Sequence, residues 1–124
     1  MSGELVLVAD DDEDILLLVT TRLQRDGYDV ISASSGDRAL ELARERRPRI
    51  AVLDIGMPGL DGLEVLERIR ADDALKETIV LLLTAKAQES DVRRGFDSGT
   101  DAYIKKPFSP SELSARVRAL LDGA

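Results

Sequence analysis

A three-layer α/β fold built on a parallel sheet is the architecture this sequence predicts, and two observations carry the prediction. Short apolar runs recur along the chain. Three of them, LVLVA at 5–9, IAVL at 50–53 and IVLLL at 79–83, are continuous rather than alternating, as strands covered on both faces require. Segments of helical period lie between the runs.

The first strand is expected over Leu5–Ala9. The helix after it places Ile15, Leu18, Val19, Arg22 and Leu23 at helical spacing. A second strand is expected at Val30–Ala33, and a second helix carries Ala39, Leu40, Leu42 and Ala43. The third strand is Ile50–Leu53. Its helix carries Leu63, Leu66 and Ile69 and opens on Asp61 with Glu64 three residues later, the spacing of a capping box. The fourth strand is Ile79–Leu83. The fourth helix is marked only by Val92 and Phe96 as core residues, with Gly95 inside it. A fifth strand at Ala102–Ile104 precedes a last helix with Leu113, Val117, Leu120 and Leu121. Its start, Ser109-Pro110-Ser111-Glu112, joins a capping box to a proline at the first helical position. Gly27, Gly36 and Gly99 fall in or beside connections. Five strands alternating with five helices, joined by right-handed crossovers, make a doubly wound sandwich. One domain over residues 1–124 is expected, with no effector domain: no linker, repeat or low-complexity segment interrupts the pattern.

Composition narrows the chemistry. The chain has no cysteine and no histidine, so disulfides, thiolate or imidazole metal sites and serine–histidine triads are excluded. A formal net charge of −7 without a long basic stripe argues against direct nucleic-acid binding. The acidic start Met1-Ser2-Gly3-Glu4 and the shortness of every apolar run argue against a signal peptide and a membrane span. A soluble, cytoplasmic protein is expected.

In open parallel sheets, sites form beyond the carboxyl ends of the strands. The first strand is followed by Asp10, Asp11, Asp12, Glu13 and Asp14, the third by Asp54, the fourth by Thr84, and the fifth by Lys106 and Pro107. After the second come only Ser34 and Ser35, so with that strand at an edge all the polar groups meet in one crevice. Asp12, Glu13 and Asp14 read as helix capping and first-turn charge. Asp10 and Asp11 do not, because a carboxylate directly ending a buried strand is costly without a partner. Asp54 ends IAVLD and leads into Gly56-Met57-Pro58-Gly59. Carboxylates about 4 Å apart repel by roughly 4 kcal/mol per pair at an effective dielectric near 20. Three together need a cation, and oxygen-only ligands favour magnesium or manganese. A threonine hydroxyl at Thr84 and an ammonium at Lys106 suit phosphoryl oxygens, whereas alternation turns Lys105 to the other face.

Four stretches, VLVADDDEDI, VLDIGMPGLDG, LLLTA and GTDAYIKKPF, in this order and spacing, resemble the receiver domain of bacterial two-component response regulators over essentially the whole chain. The resemblance implies a flavodoxin-like (βα)5 sandwich with strand order 2-1-3-4-5. It implies that Asp54 accepts a phosphoryl group from a histidine kinase or histidine phosphotransfer protein in a magnesium-dependent reaction. It makes Asp11 a direct metal ligand, Asp10 a ligand often through water, and the Gly56 carbonyl a further ligand. It places Thr84 and Lys106 on the phosphoryl group, makes Tyr103 the aromatic switch that responds to Thr84, and makes the Lys106–Pro107 bond cis. The output would be a downstream protein or effector domain, met by the face of the fourth helix, fifth strand and fifth helix. The last helix, ELSARVRALL, resembles that of receivers joined to winged-helix domains. Ala102 and Val92 depart from that group, which usually has an acid and an arginine there.

Two other readings compete. A magnesium phosphohydrolase with an aspartate nucleophile would place the nucleophile after the first strand in a DxD pattern and carry a substrate cap; Asp10-Asp11-Asp12 supplies the pattern but the chain has no room for a cap. A flavin-mononucleotide module needs a neutral phosphate loop after the first strand, where this chain has five acids.

Overall fold

The computed structural model describes residues 3–85 and 89–123, without the side chains of 89–92. Strands and helices alternate as β1 (Leu5–Ala9), α1 (Glu13–Arg25), β2 (Asp29–Ala33), α2 (Gly36–Arg46), β3 (Ile50–Asp54), α3 (Gly62–Ala71), β4 (Ile79–Thr84), α4 (Glu89–Asp97), β5 (Ala102–Lys105) and α5 (Pro110–Asp122). The five strands form one parallel sheet in the order β2-β1-β3-β4-β5. β2 is an edge, as the crevice argument needed.

Successive strand residues face opposite layers, which is why the runs are continuously apolar. Leu7, Leu53 and Leu82 pack with α2 and α3 residues such as Leu40, Leu66 and Ile69. Val6, Val52, Leu81 and Leu83 pack with Val19 and Leu23 of α1 and with Leu113 and Val117 of α5. Each such side chain contributes about 1.5–3 kcal/mol by leaving water. Truncating one in the central strands, such as Leu81→Ala, would cost about 2–5 kcal/mol.

The helix starts follow their sequence signals. The Asp12 carboxylate accepts from the Asp14 and Ile15 amides. Asp61 and Glu64 make the reciprocal capping box. Ser109 accepts from the Glu112 amide, with Pro110 opening α5. The Lys106–Pro107 peptide is cis. β3 and β4 each run one residue past the expected end, so Asp54 and Thr84 are themselves strand residues.

Two expected core residues lie at the surface. Phe96 is 50% exposed and Leu18 is 48% exposed. Among the described residues of α4 the buried position is Gly95, where a methyl group would come within 2.9 Å of Leu82 Cδ1. The position faces the end of the Leu82 side chain and takes a small residue, while Phe96 beside it lies at the surface. The Val92 side chain lies outside the described residues.

Candidate functional site

The carboxyl ends of β1 and β3 bring three carboxylates together. Asp10, Asp11 and Asp54 each offer an oxygen within 4.8 Å of the others. Asp10 is completely buried and Asp54 is 4% exposed, whereas Asp11 faces solvent. Asp10 is fixed at both ends. Its amide donates to the Ala33 carbonyl of β2 (3.1 Å), and its Oδ1 accepts from the Asp12 amide (2.9 Å). Asp54 accepts from the Gly56 N–H. Glycine is required at position 62, because a methyl there would stand 2.5 Å from the Asp54 carbonyl oxygen.

Lys106 reaches into the crevice from the end of β5. Its Nζ lies 2.8 Å from Asp10 Oδ2 and 3.3 Å from Asp54 Oδ1. Its amide donates to the Thr84 carbonyl (2.7 Å), holding the ends of β4 and β5 together. Burial lowers the Lys106 pKa, but the adjacent Asp10 and Asp54 carboxylates outweigh it and leave the group raised. Lys106 is therefore a fixed positive charge. Thr84 is buried at 3% exposure on the neighbouring strand end. Lys105 is exposed on the opposite face.

Among the described residues, one ammonium within salt-bridge distance faces three carboxylates. Burial and the Asp10 charge push the Asp54 carboxyl up to about 6, against the opposing pull of Lys106 and the Gly56 N–H. Asp10 Oδ2 is buried, with the Lys106 ammonium 2.8 Å away as its partner. Three carboxylates that each offer an oxygen to a common point fit a hard dication such as magnesium or manganese.

The crevice brings Asp10, Asp11, Asp54 and Lys106 together, with Gly56 beside Asp54; Thr84 ends the neighbouring strand, its carbonyl accepting from the Lys106 amide. Tyr103 stands apart on β5. It is half-buried, and its ring meets the Phe96 ring edge-on at 5.6 Å and 80°. Sequence reasoning missed a neighbouring feature. An apolar cavity of about 330 Å³ lined by Ile15, Leu18, Ala85, Lys106, Pro107 and Phe108 opens beside the crevice. The exposed Leu18 belongs to it, so a leucine read as core by its spacing is part of a surface groove.

A family model described as "Response regulator receiver domain" matches residues 6–118. The chain belongs to this family. The receiver is 46% identical over 116 residues to the alkaline phosphatase synthesis transcriptional regulatory protein PhoP of Bacillus subtilis, covering 94% of this chain and 48% of that protein. It is 42% identical over 116 residues to the DNA-binding response regulator MtrA of Mycobacterium tuberculosis, covering 94% of this chain and 50% of that one. The chain therefore spans about half the length of these curated relatives. Among solved structures, the chemotaxis response regulator CheY4 of Vibrio cholerae superposes with a TM-score of 0.88 at 30% identity, over 94% of this chain and 97% of that one. A CheY-like receiver domain protein of Methanospirillum hungatei superposes with a TM-score of 0.91 at 28% identity, over 97% and 94%. The receiver is a phosphorylation-dependent switch of the two-component type, a signalling module whose acidic pocket is compatible with a magnesium site. Among the described residues, no helix is long and apolar enough to cross a membrane.

Proposed function

We propose that Asp54 is the phosphoacceptor of this receiver and that residues 1–124 act as one phosphorylation-controlled unit in the cytoplasm. The observation that carries the reading is the placement of Asp54. It is a buried carboxylate grouped with Asp10 and Asp11, with the partly buried Lys106 ammonium 3.3 Å away. Asp10, Asp11, Asp54 and the Gly56 carbonyl would hold magnesium, with manganese as a substitute. When bound, the ion supplies positive charge against the charge on the phosphoryl oxygens.

The chain's own residues then divide the work. An Asp54 carboxylate oxygen forms the new O–P bond as the P–N bond to the donor histidine breaks, and the proton that neutralises the departing imidazole comes from the donor side or solvent. Lys106 holds Asp54 in line and offers its ammonium to a phosphoryl oxygen. Thr84 offers its hydroxyl to another from the adjacent strand end. New charge-assisted hydrogen bonds at Thr84 draw it toward the dianion, and Tyr103 responds on the α4–β5–α5 face that meets a downstream protein or effector domain. The receiver is not an enzyme in the ordinary sense, since it acts only on its own Asp54.

The donor is a histidine kinase or histidine phosphotransfer protein, and it must bring its imidazole to within bonding distance of Asp54. The apolar groove of Ile15, Leu18 and Phe108 shares Lys106 with the crevice, so it is the surface on which such a partner would rest. The test is acetyl phosphate with magnesium. One phosphoryl group should add, acid-stable and base-labile, and peptide mapping should place it on Asp54. Labelling at a serine or threonine, or rapid turnover of small phosphate esters, would sink the reading.

A further inference from the structure

The β2–α2 junction offers the crevice no acid, base or nucleophile, yet both halves of the acid pocket are referenced to it. On one side, Ala33 at the end of β2 accepts the Asp10 amide at 3.1 Å. On the other, Gly36 meets the loop between β3 and α3. Its amide lies 3.4 Å from the Pro58 carbonyl it donates to. A methyl group at Gly36 would stand 1.7 Å from the Leu60 carbonyl oxygen, 2.5 Å from its carbon and 2.9 Å from Leu60 Cβ, where real contacts below 3.0 Å essentially never occur. The first two atoms are backbone and cannot swing aside.

That loop carries Gly56. It is closed at its base by the Gly62 amide on the Ile55 carbonyl (3.1 Å) and tied to β4 by the Ile55 amide on the Leu83 carbonyl (2.9 Å). Met57 is sunk into the core at 5% exposure. With so few free residues, a shift at Leu60 must be shared with Pro58, Met57 and Gly56. Gly36 does not have a positive φ, so the backbone itself does not demand glycine. In a helix glycine is otherwise a liability relative to alanine. What position 36 needs is the absence of a side chain.

We infer that Gly36 is a positioning residue of the phosphorylation site. By admitting the Leu60 carbonyl against the start of α2, it sets where the Gly56 carbonyl and the Asp54 carboxylate stand relative to Asp10 and Asp11. This rests on the acid pocket being the magnesium and phosphoryl site. Gly36 touches neither the ion nor the phosphoryl group and acts through Leu60.

Magnesium titration of the full chain, followed by calorimetry and by backbone amide spectra, tests it. Gly36→Ala should weaken magnesium binding by about tenfold or more, since misplacement by about 1 Å costs a reacting geometry up to about a hundredfold. It should also displace the Gly56 amide signal in magnesium-free protein. Val117→Ala, a cavity in the core on the opposite face of the sheet, controls for lost stability and should leave magnesium affinity at the parent value. Gly36→Ala binding magnesium as the parent does would overturn the inference. So would Val117→Ala weakening it equally. Should Gly36→Ala fail to fold in buffer, the same titration is run on variant and parent in trimethylamine N-oxide, which favours the compact state. The magnesium affinity of Gly36→Ala should still fall about tenfold below that of the parent, and equal affinities would reject the role. A parent that ignores magnesium would overturn the acid-pocket reading along with this one.

Discussion

α2 and α4 lie in the layer on one face of the sheet, but they are held in opposite ways. α2 is capped by Ser35 and buries Gly36, Ala39, Leu40, Leu42 and Ala43. Its backbone is pressed against the backbone of the loop that follows Asp54. Among the described residues, which leave out the side chains of 89–92, α4 meets the sheet at Gly95, close to Leu82, and its side-chain ties lie at its rim. Arg94 and Ser98 reach Glu67 of α3 at 3.3 and 3.2 Å, and Phe96 meets Tyr103. Surface ion pairs of this kind are worth about 0–1 kcal/mol. A site that must hold three carboxylates in place leans on α2, and α4, whose described side-chain ties lie at its rim, is the element on which a changing surface would draw. Changes near the crevice should therefore abolish the chemistry, and changes at α4 should only grade its transmission.

The largest effect should come from Asp54→Asn, which removes the attacking oxygen. Labelling by acetyl phosphate should disappear, while Asp14→Asn, which alters only first-turn charge of α1, should label as the parent does. Mass spectrometry of the intact chain decides it. Residual labelling in Asp54→Asn would break the contrast at its strongest point.

Next is the pocket's unbalanced charge. Magnesium that binds only the folded chain should add about 2.7 kcal/mol at a hundred times its Kd, and Asp11→Asn should remove most of that gain. Without the ion, pH should tell the same story. The folded Asp54 carboxyl titrates at about 6 against an ordinary 3.8. Between those values the folded state keeps a proton that the unfolded chain releases. Stability from this group is thus highest at low pH and falls as pH rises through the window, by on the order of 3 kcal/mol. Melting curves in chelator from pH 4 to 7 should show Asp54→Asn gaining on the parent as pH rises. A parallel pair of curves would mean that the pocket is not under strain.

The groove beside Lys106 comes third. Burying a leucine is worth about 1.5–3 kcal/mol, so Leu18→Arg should slow phosphoryl transfer from a partner kinase by about ten- to a hundredfold. Labelling by acetyl phosphate should stay at the parent rate, because Leu18 lines only the groove. Equal losses with both donors would place Leu18 in the fold rather than on a docking surface.

How much of this was legible in the sequence depends on which atoms do the work. The strands were legible because burial on both faces leaves continuous apolar runs, and the crevice because its side chains sit one step beyond those runs. The edge position of β2 left Ser34 and Ser35 without chemistry to offer. Backbone approaches left no such signal. Gly36 and Gly62 are needed for what they lack, and hydropathy assigns nothing to that. Arg70 was equally silent: it donates to the Gly99, Lys76 and Thr78 carbonyls and to Asp101, and three of those four acceptors are main chain. Phe96 was misread for a related reason. Helical period marks a stripe, but only the Gly95 approach to Leu82 says which residue on it faces the sheet.

The smallest effect should be the most informative about α4. Phe96 and Tyr103 form an edge-to-face pair, an arrangement worth about 0.5–1.5 kcal/mol beyond burial. Such a pair can bias a two-state element by up to about tenfold without deciding it. Tyr103 is on the strand that ends near Lys106, and Phe96 is on the helix, so the pair joins the crevice end of β5 to α4. Beryllofluoride, standing in for the phosphoryl group, should change hydrogen exchange across residues 93–106 far more than across residues 15–45. Thr84→Ala should accept the phosphoryl group yet blunt that response. Phe96→Leu keeps an apolar side chain but loses the ring, so labelling should be unchanged and the response of α4 should shrink relative to that of β5. A double change with Tyr103→Leu should add nothing further if the two rings act as one unit. Equal exchange changes in α1, α2 and α4 would reject the division between a helix that holds the site and one that reports on it.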